Sequence, residues 1–166
     1  MSEFKELLKL AERVVEALLE KKLCITTVES CTGGGMANYI TNIPRASEVI
    51  KGARVTYSTE EKISLGVSES VIDKYTVYSK ETALAMARAG IWKSTRSEVS
   101  VGITGSFTRE DMNNTGSKVG EIYIAVVYGD EVICKKICLT NNAERCVDKD
   151  MVIKNAFNMV LEIIEA

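Results

Sequence analysis

The chain has 166 residues, 46% apolar and 27% charged, with a formal net charge of -2 at pH 7. This length fits one domain over residues 1–166 with a substantial core, and the balanced composition excludes a disordered chain. The near-neutral total and the scatter of Lys and Arg argue against nucleic acid as a partner.

The first residues, Met1-Ser-Glu-Phe-Lys, lack the basic and then apolar pattern of a secretory signal. No apolar run approaches the roughly 20 residues that span a bilayer, so no membrane association is expected. Residues 4–19 place Phe4, Leu7, Leu8, Ala11, Val14 and Val15 at helical spacing, which predicts an amphipathic helix packed on the domain. Residues 24–28, rich in β-branched side chains, predict a strand. A helix follows over 33–40, and Pro44 marks a stop beyond it.

Residues 54–57 predict a second strand, with a helix starting at Ser58. A further helix covers 80–92, with Ser79 as its cap. Strands are predicted at 98–103 and 121–127, separated by a polar loop over 106–117. The turn signal Tyr128-Gly129-Asp130 pairs 131–139 with the preceding strand as a hairpin. A last helix runs over about 150–164. Alternating strands and helices predict an α/β fold, a three-layer helix-sheet-helix sandwich, and the hairpin makes its sheet mixed.

Five cysteines (Cys24, Cys31, Cys134, Cys138 and Cys146) are an odd number without a Cys-x-x-Cys pair. They read as reduced thiols in a cytoplasmic protein, with neither a disulfide framework nor a zinc site. The chain contains no histidine. A Ser-His-Asp triad, a Cys-His pair and a histidine-ligated metal are therefore excluded within one chain. Acid-base chemistry must rest on Lys, Tyr, Cys, Asp or Glu, and neither metal nor cofactor is expected.

Two segments could carry chemistry. Val28-Glu29-Ser30-Cys31-Thr32-Gly33-Gly34-Gly35 sits between a strand and a helix. That junction would put Ser30 at a helix N-terminus, where free N–H groups favour developing negative charge. The same residues would equally serve as a packed turn with Ser30 as an N-cap. A thiol here could also have a lowered pKa, so Cys31 is a second nucleophile candidate, ranked behind Ser30. In Tyr57-Ser58-Thr59-Glu60-Glu61-Lys62, Ser58 and Glu61 have capping-box spacing, which places Lys62 in the first turn of a helix. The positive helix end and desolvation would both lower its proton affinity, as a lysine base for serine requires. The plain alternative is a solvated Lys62 and a Tyr57 that merely packs on the sheet.

The order of these segments resembles the CinA C-terminal domain family. Glu29-Ser30-Cys31-Thr32-Gly33-Gly34 is followed by Asn42-Ile43-Pro44, then Tyr57 to Lys62, then Leu65-Gly66-Val67. Val77, Ser79, Val101-Gly102-Ile103-Thr104-Gly105 and Val119-Gly120 continue the pattern, which covers about residues 7 to 164. The resemblance implies a nicotinamide mononucleotide deamidase, an amidohydrolase that converts the nicotinamide carboxamide to a carboxylate and releases ammonia. It implies Ser30 as nucleophile, Lys62 as base and Tyr57 as a supporting proton donor or relay. Backbone N–H groups near Cys31 or Thr32 would hold the oxyanion. Substrate contacts are expected at Cys31, Thr32, Gly33, Gly34, Thr104 and Gly105.

After Thr104-Gly105 the chain departs from the family's Thr-Gly-Ile-Ala-Gly-Pro-Gly-Gly run and reads Ser106-Phe107-Thr108-Arg109-Glu110-Asp111. Arg109 is the candidate to replace backbone donors with a guanidinium. The family's basic residue ahead of its final helix maps to Arg145, with Lys149 as the alternative. The expected partner is a small pyridine nucleotide, and the resemblance also implies a homo-oligomer. Two other readings are a catalytically weak homologue that binds a nucleotide or protein partner, and a Ser-Lys hydrolase of another amide.

Overall fold

The computed structural model describes residues 3–109, 111–112, 114, 118–140 and 144–166. Helix α1 (Glu3–Lys21) leads into strand β1 (Ile25–Glu29), then helices α2 (Gly35–Thr41) and α3 (Ala46–Val49) and strand β2 (Ile50–Val55). Helices α4 (Thr59–Leu65), α5 (Glu69–Tyr75) and α6 (Lys80–Lys93) precede strand β3 (Val99–Gly105). Strands β4 (Glu121–Tyr128) and β5 (Glu131–Cys138) form the hairpin, and α7 (Arg145–Glu165) closes the chain. No helix of the described residues is long and apolar enough to cross a membrane.

The five strands lie in the order β2-β1-β3-β4-β5. β1 pairs in parallel with β2 and β3, whereas β3, β4 and β5 pair antiparallel. This is the predicted mixed sheet between two helical layers. On one face α1, α2, α3 and α7 enclose the main core. Leu18 of α1 and Phe157 of α7 meet Ile25, Val101, Ile103 and Ile124 of the sheet there. On the other face Met86 and Ala89 of α6 pack with Val28, while Ala83 and Ala87 pack on Ala125 and Val127. A Cβ on Gly102 would collide with the Ala83 carbonyl, so α6 lies with its backbone directly on β3.

Two unexpected helices and three shifted boundaries stand out against the sequence expectation. α3 and α5 are one- to two-turn helices, too short to show an apolar period. β2 begins at Ile50 rather than 54, because Lys51, Gly52 and Arg54 interrupt its apolar run at the sheet edge. α2 starts at Gly35 rather than 33, since Gly33 and Gly34 have positive φ. α7 starts at Arg145 rather than 150; its first turn is polar and carries no hydrophobic signal. Glu110, Asn113 and residues 115–117 of the expected 106–117 loop lie outside the described residues.

The connections position the site. From β1 the chain crosses to β2 through α2 and α3 on one face. From β2 it passes back over β1 to β3 through α4, α5 and α6 on the other. Successive crossovers thus diverge beside β1, and a crevice opens at the carboxyl ends of β1 and β3.

Candidate active site

At the end of β1 the Ser30 N–H donates to the Ile103 carbonyl at 2.9 Å, which ties Ser30 to β3. The chain then turns back sharply. Gly33 (φ +63°) and Gly34 (φ +89°) take left-handed conformations that strain a residue bearing a Cβ. The turn brings α2 against the strand that precedes it. The fully buried Glu29 carboxylate accepts hydrogen bonds from Thr32 Oγ1 (2.7 Å), Met36 N (3.0 Å) and Ala37 N (3.0 Å).

This corrects the expectation for Ser30. Glu29, and not Ser30, satisfies the first amides of α2, and the helix begins five residues beyond the serine. Ser30 is therefore not an N-cap, and its hydroxyl is left to a different partner. Neither the Cys31 nor the Thr32 amide donates to backbone among the described residues.

That partner is Lys62. Ser58 Oγ accepts from the Glu61 N–H at 3.1 Å and starts α4, as the capping spacing predicts. One residue on, the Lys62 side chain runs inward and is only 1% exposed. Its Nζ lies 3.0 Å from Ser30 Oγ and donates to the Thr56 carbonyl at 2.8 Å. No carboxylate forms an ion pair with it among the described residues. Removal from water pushes the amine down to about 8. The direction matches the sequence expectation, and burial is the cause. The solvated alternative for Lys62 is excluded by its burial.

Cys31 sits beside this pair but differs chemically. Burial pushes its thiol up to about 12, so it is neutral and unreactive at neutral pH. Tyr57 stands 63% exposed at the rim, where its hydroxyl accepts from Arg145 Nη2 at 3.4 Å. It makes no hydrogen bond to Ser30 or Lys62 among the described residues.

A cleft of about 430 Å³ opens over Ser30 and Cys31, at the carboxyl ends of β1 and β3. Gly105, Ser106 and Phe107 form its floor beyond β3, while Tyr57, Tyr78, Arg109, Asp111, Met112 and Arg145 surround it. The Arg145 guanidinium lies 4.9 Å above the Phe107 ring, a cation-π contact at the cleft. The Tyr78 hydroxyl donates to Asp111 Oδ2 at 2.8 Å, and burial, with that carboxylate second, raises the phenol's proton affinity.

Of the expected contacts, Cys31, Gly105, Arg109 and Arg145 line the cleft. Thr32, Gly33, Gly34 and Thr104 do not. Thr32 holds Glu29, the two glycines make the turn, and Thr104 donates to the Val77 carbonyl at 2.7 Å. Lys149 packs over Gly33, so of these two candidates Arg145 is the one that lines the cleft. Glu29, Thr56, Tyr78, Phe107 and Asp111 were not singled out from sequence. A carboxylate ending the buried run Ile25-Thr-Thr-Val was the available signal for Glu29; for the others nothing in local spacing marks them.

A family profile described as the CinA C-terminal domain matches residues 7–164. The chain belongs to the CinA C-terminal domain family. It is 42% identical over 133 residues to a Clostridium beijerinckii protein described as competence-damage inducible, covering 80% of this chain and 32% of that protein. A CinA-like protein of Flavobacterium psychrophilum is 34% identical over 148 residues, covering 89% and 34%. The chain thus spans about a third of the length of these curated CinA relatives. Among solved structures, the competence/damage inducible protein CihA of Agrobacterium tumefaciens superposes with a TM-score of 0.87 at 25% identity, over 96% of both chains. A CinA superfamily protein of Klebsiella pneumoniae shares the fold with a TM-score of 0.88 at 20% identity, over 96% of this chain and 98% of that one.

Proposed function

We propose that this CinA-family domain is a serine-lysine amidohydrolase acting on the carboxamide of nicotinamide mononucleotide. The observation that carries the reading is the buried Lys62 amine, 3.0 Å from Ser30 Oγ and lowered to about 8. At that value an appreciable fraction is neutral near pH 7 and can take a proton from serine. Ser30 Oγ attacks the carboxamide carbon as its proton passes to Lys62 Nζ. The oxyanion is met by the amides of Cys31 and Thr32, which have no backbone acceptor among the described residues. Lys62 returns the proton to the departing nitrogen, and ammonia leaves. Water then attacks the Ser30 ester, again losing its proton to Lys62, and releases the carboxylate product with Ser30 restored.

The cleft's composition supports a pyridine nucleotide. Tyr57 and Tyr78 offer flat apolar faces to an aromatic ring, and Arg109 and Arg145 offer positive charge to a phosphate. One observation favours a different amide. The departing loop brings a carboxylate, Asp111, into the same cleft. Both readings share the Ser30–Lys62 chemistry and are separated by substrate. Purified protein is incubated with nicotinamide mononucleotide, nicotinamide riboside, nicotinamide and simple aliphatic amides, and ammonia is measured. Release from the mononucleotide that Ser30→Ala abolishes is the expected result. Release only from another amide would overturn the substrate, and release from none would overturn the activity.

A further inference from the structure

The cleft over Ser30 carries charge of both signs. Among the described residues that line it, Arg109 and Arg145 are cationic and Asp111 is anionic. A phosphate alone accounts for the arginines and is repelled by the carboxylate. A neutral amide uses neither sign. Such a cleft fits a ligand that carries a cation as well as a phosphate, with the two charges held apart on one small molecule.

Asp111 is held in place by the elements around it. Thr104 Oγ1, near the end of β3, donates to the Val77 carbonyl at 2.7 Å and pins the connection between α5 and α6 to the sheet. The next residue, Tyr78, donates its hydroxyl to Asp111 Oδ2 at 2.8 Å, and Asn114 Nδ2 donates to the same oxygen at 2.7 Å. Both of these donors are neutral, so they orient the carboxylate without cancelling its charge. Ser106 Oγ donates to the Arg109 carbonyl at 2.6 Å and folds back the loop that delivers Asp111. The negative charge thus stands beside the Tyr78 hydroxyl, on a cleft that Tyr57 also lines. A flat cation lying against a phenol ring, with a carboxylate at its rim, is attracted by both.

Glycosylation makes the ring nitrogen of a nicotinamide nucleotide quaternary, so the oxidised ring bears a positive charge. Reduction to the dihydropyridine removes that charge and leaves the carboxamide, ribose and phosphate in place. We propose that Asp111, positioned by Tyr78, is a specificity-determining residue that reads the ring's positive charge, so that the cleft takes the oxidised nucleotide in preference to its reduced form. This selectivity rests on the reading of the site as one for nicotinamide mononucleotide, and it gives the carboxylate a partner on that same molecule.

Binding of oxidised and reduced nicotinamide mononucleotide is measured by titration calorimetry on the Ser30→Ala protein, so that neither ligand is consumed. The oxidised form is expected to bind about tenfold more tightly. Adding Asp111→Asn keeps the shape and removes the charge. It should bring the two affinities to within about threefold, with the loss falling on the oxidised form alone. Adding Tyr78→Phe instead leaves the charge but releases the carboxylate, and should narrow the preference by a smaller factor. Circular dichroism verifies the fold of each variant. No preference between the two forms, a preference that survives Asp111→Asn, or an equal weakening of both forms would overturn the role of Asp111 and leave the substrate standing. A full preference in the Tyr78→Phe protein would overturn the positioning by Tyr78. Failure of both forms to bind would overturn the selectivity and the substrate together.

Discussion

At the scale of single residues, the site reduces to an amine kept from water beside a hydroxyl. If Lys62 is the base, kcat/KM should rise with pH along the curve of a group titrating near 8, roughly 50-fold between pH 6 and pH 8. A flat profile over that interval would remove Lys62 from the proton transfer. Lys62→Arg keeps the charge but cannot shed its proton at accessible pH, so turnover should fall about 1,000-fold or more. A Lys62→Arg enzyme with near-normal turnover would make the residue a mere electrostatic anchor. Cys31→Ala should stay within a few-fold of wild type, because the buried thiol holds its proton up to about 12. Ser30 and Lys62 were legible as candidates in the sequence, and the direction of the lysine shift with them. Their contact was not, because it spans 32 residues and depends on two strands lying side by side. The role of Glu29 was hidden too, since a carboxylate in a short strand looks like a surface residue until its strand is found buried throughout.

At the scale of elements, the turn after β1 is held by that carboxylate, which takes three hydrogen bonds and positions the serine beside it. Glu29→Gln preserves the shape but removes the charge and turns two N–H donors toward groups that themselves donate. It should cost about 1.5–3 kcal/mol of stability in denaturant unfolding. It should also lower kcat with little change in KM, because Glu29 does not line the cleft. Loss of stability alone, with kcat unchanged, would reduce Glu29 to a structural role. The long helices and the hairpin were readable from their periods and from the turn at Gly129. α3 and α5 were not: both are too short to show an apolar repeat, and neither opens on a side-chain cap as α4 does at Ser58.

At the scale of the whole molecule, the mixed sheet followed from the order of the segments, but the strand order β2-β1-β3 did not, and it is that order that opens the crevice over Ser30. Burying a lysine there works against the fold. The folded amine titrates near 8 and the unfolded one near 10.5, so between those values the unfolded chain holds more protons and stability rises with pH. Below about 8 the cost is present in full. Relative to Lys62→Met, wild type should therefore gain about 3 kcal/mol of unfolding free energy between pH 8 and pH 10.5, measured by chemical denaturation at each pH. A constant difference would show that Lys62 is not desolvated. The parallel β1–β2 contact has a further consequence for a chain still being made. Before those strands meet, Ser30 is an ordinary hydroxyl and Lys62 an ordinary solvated cation, so an unfinished chain lacks the pairing that would activate the proposed serine. Labelling by a serine-directed acylating probe during refolding should then lag behind the return of helical circular dichroism and coincide with closure of the sheet.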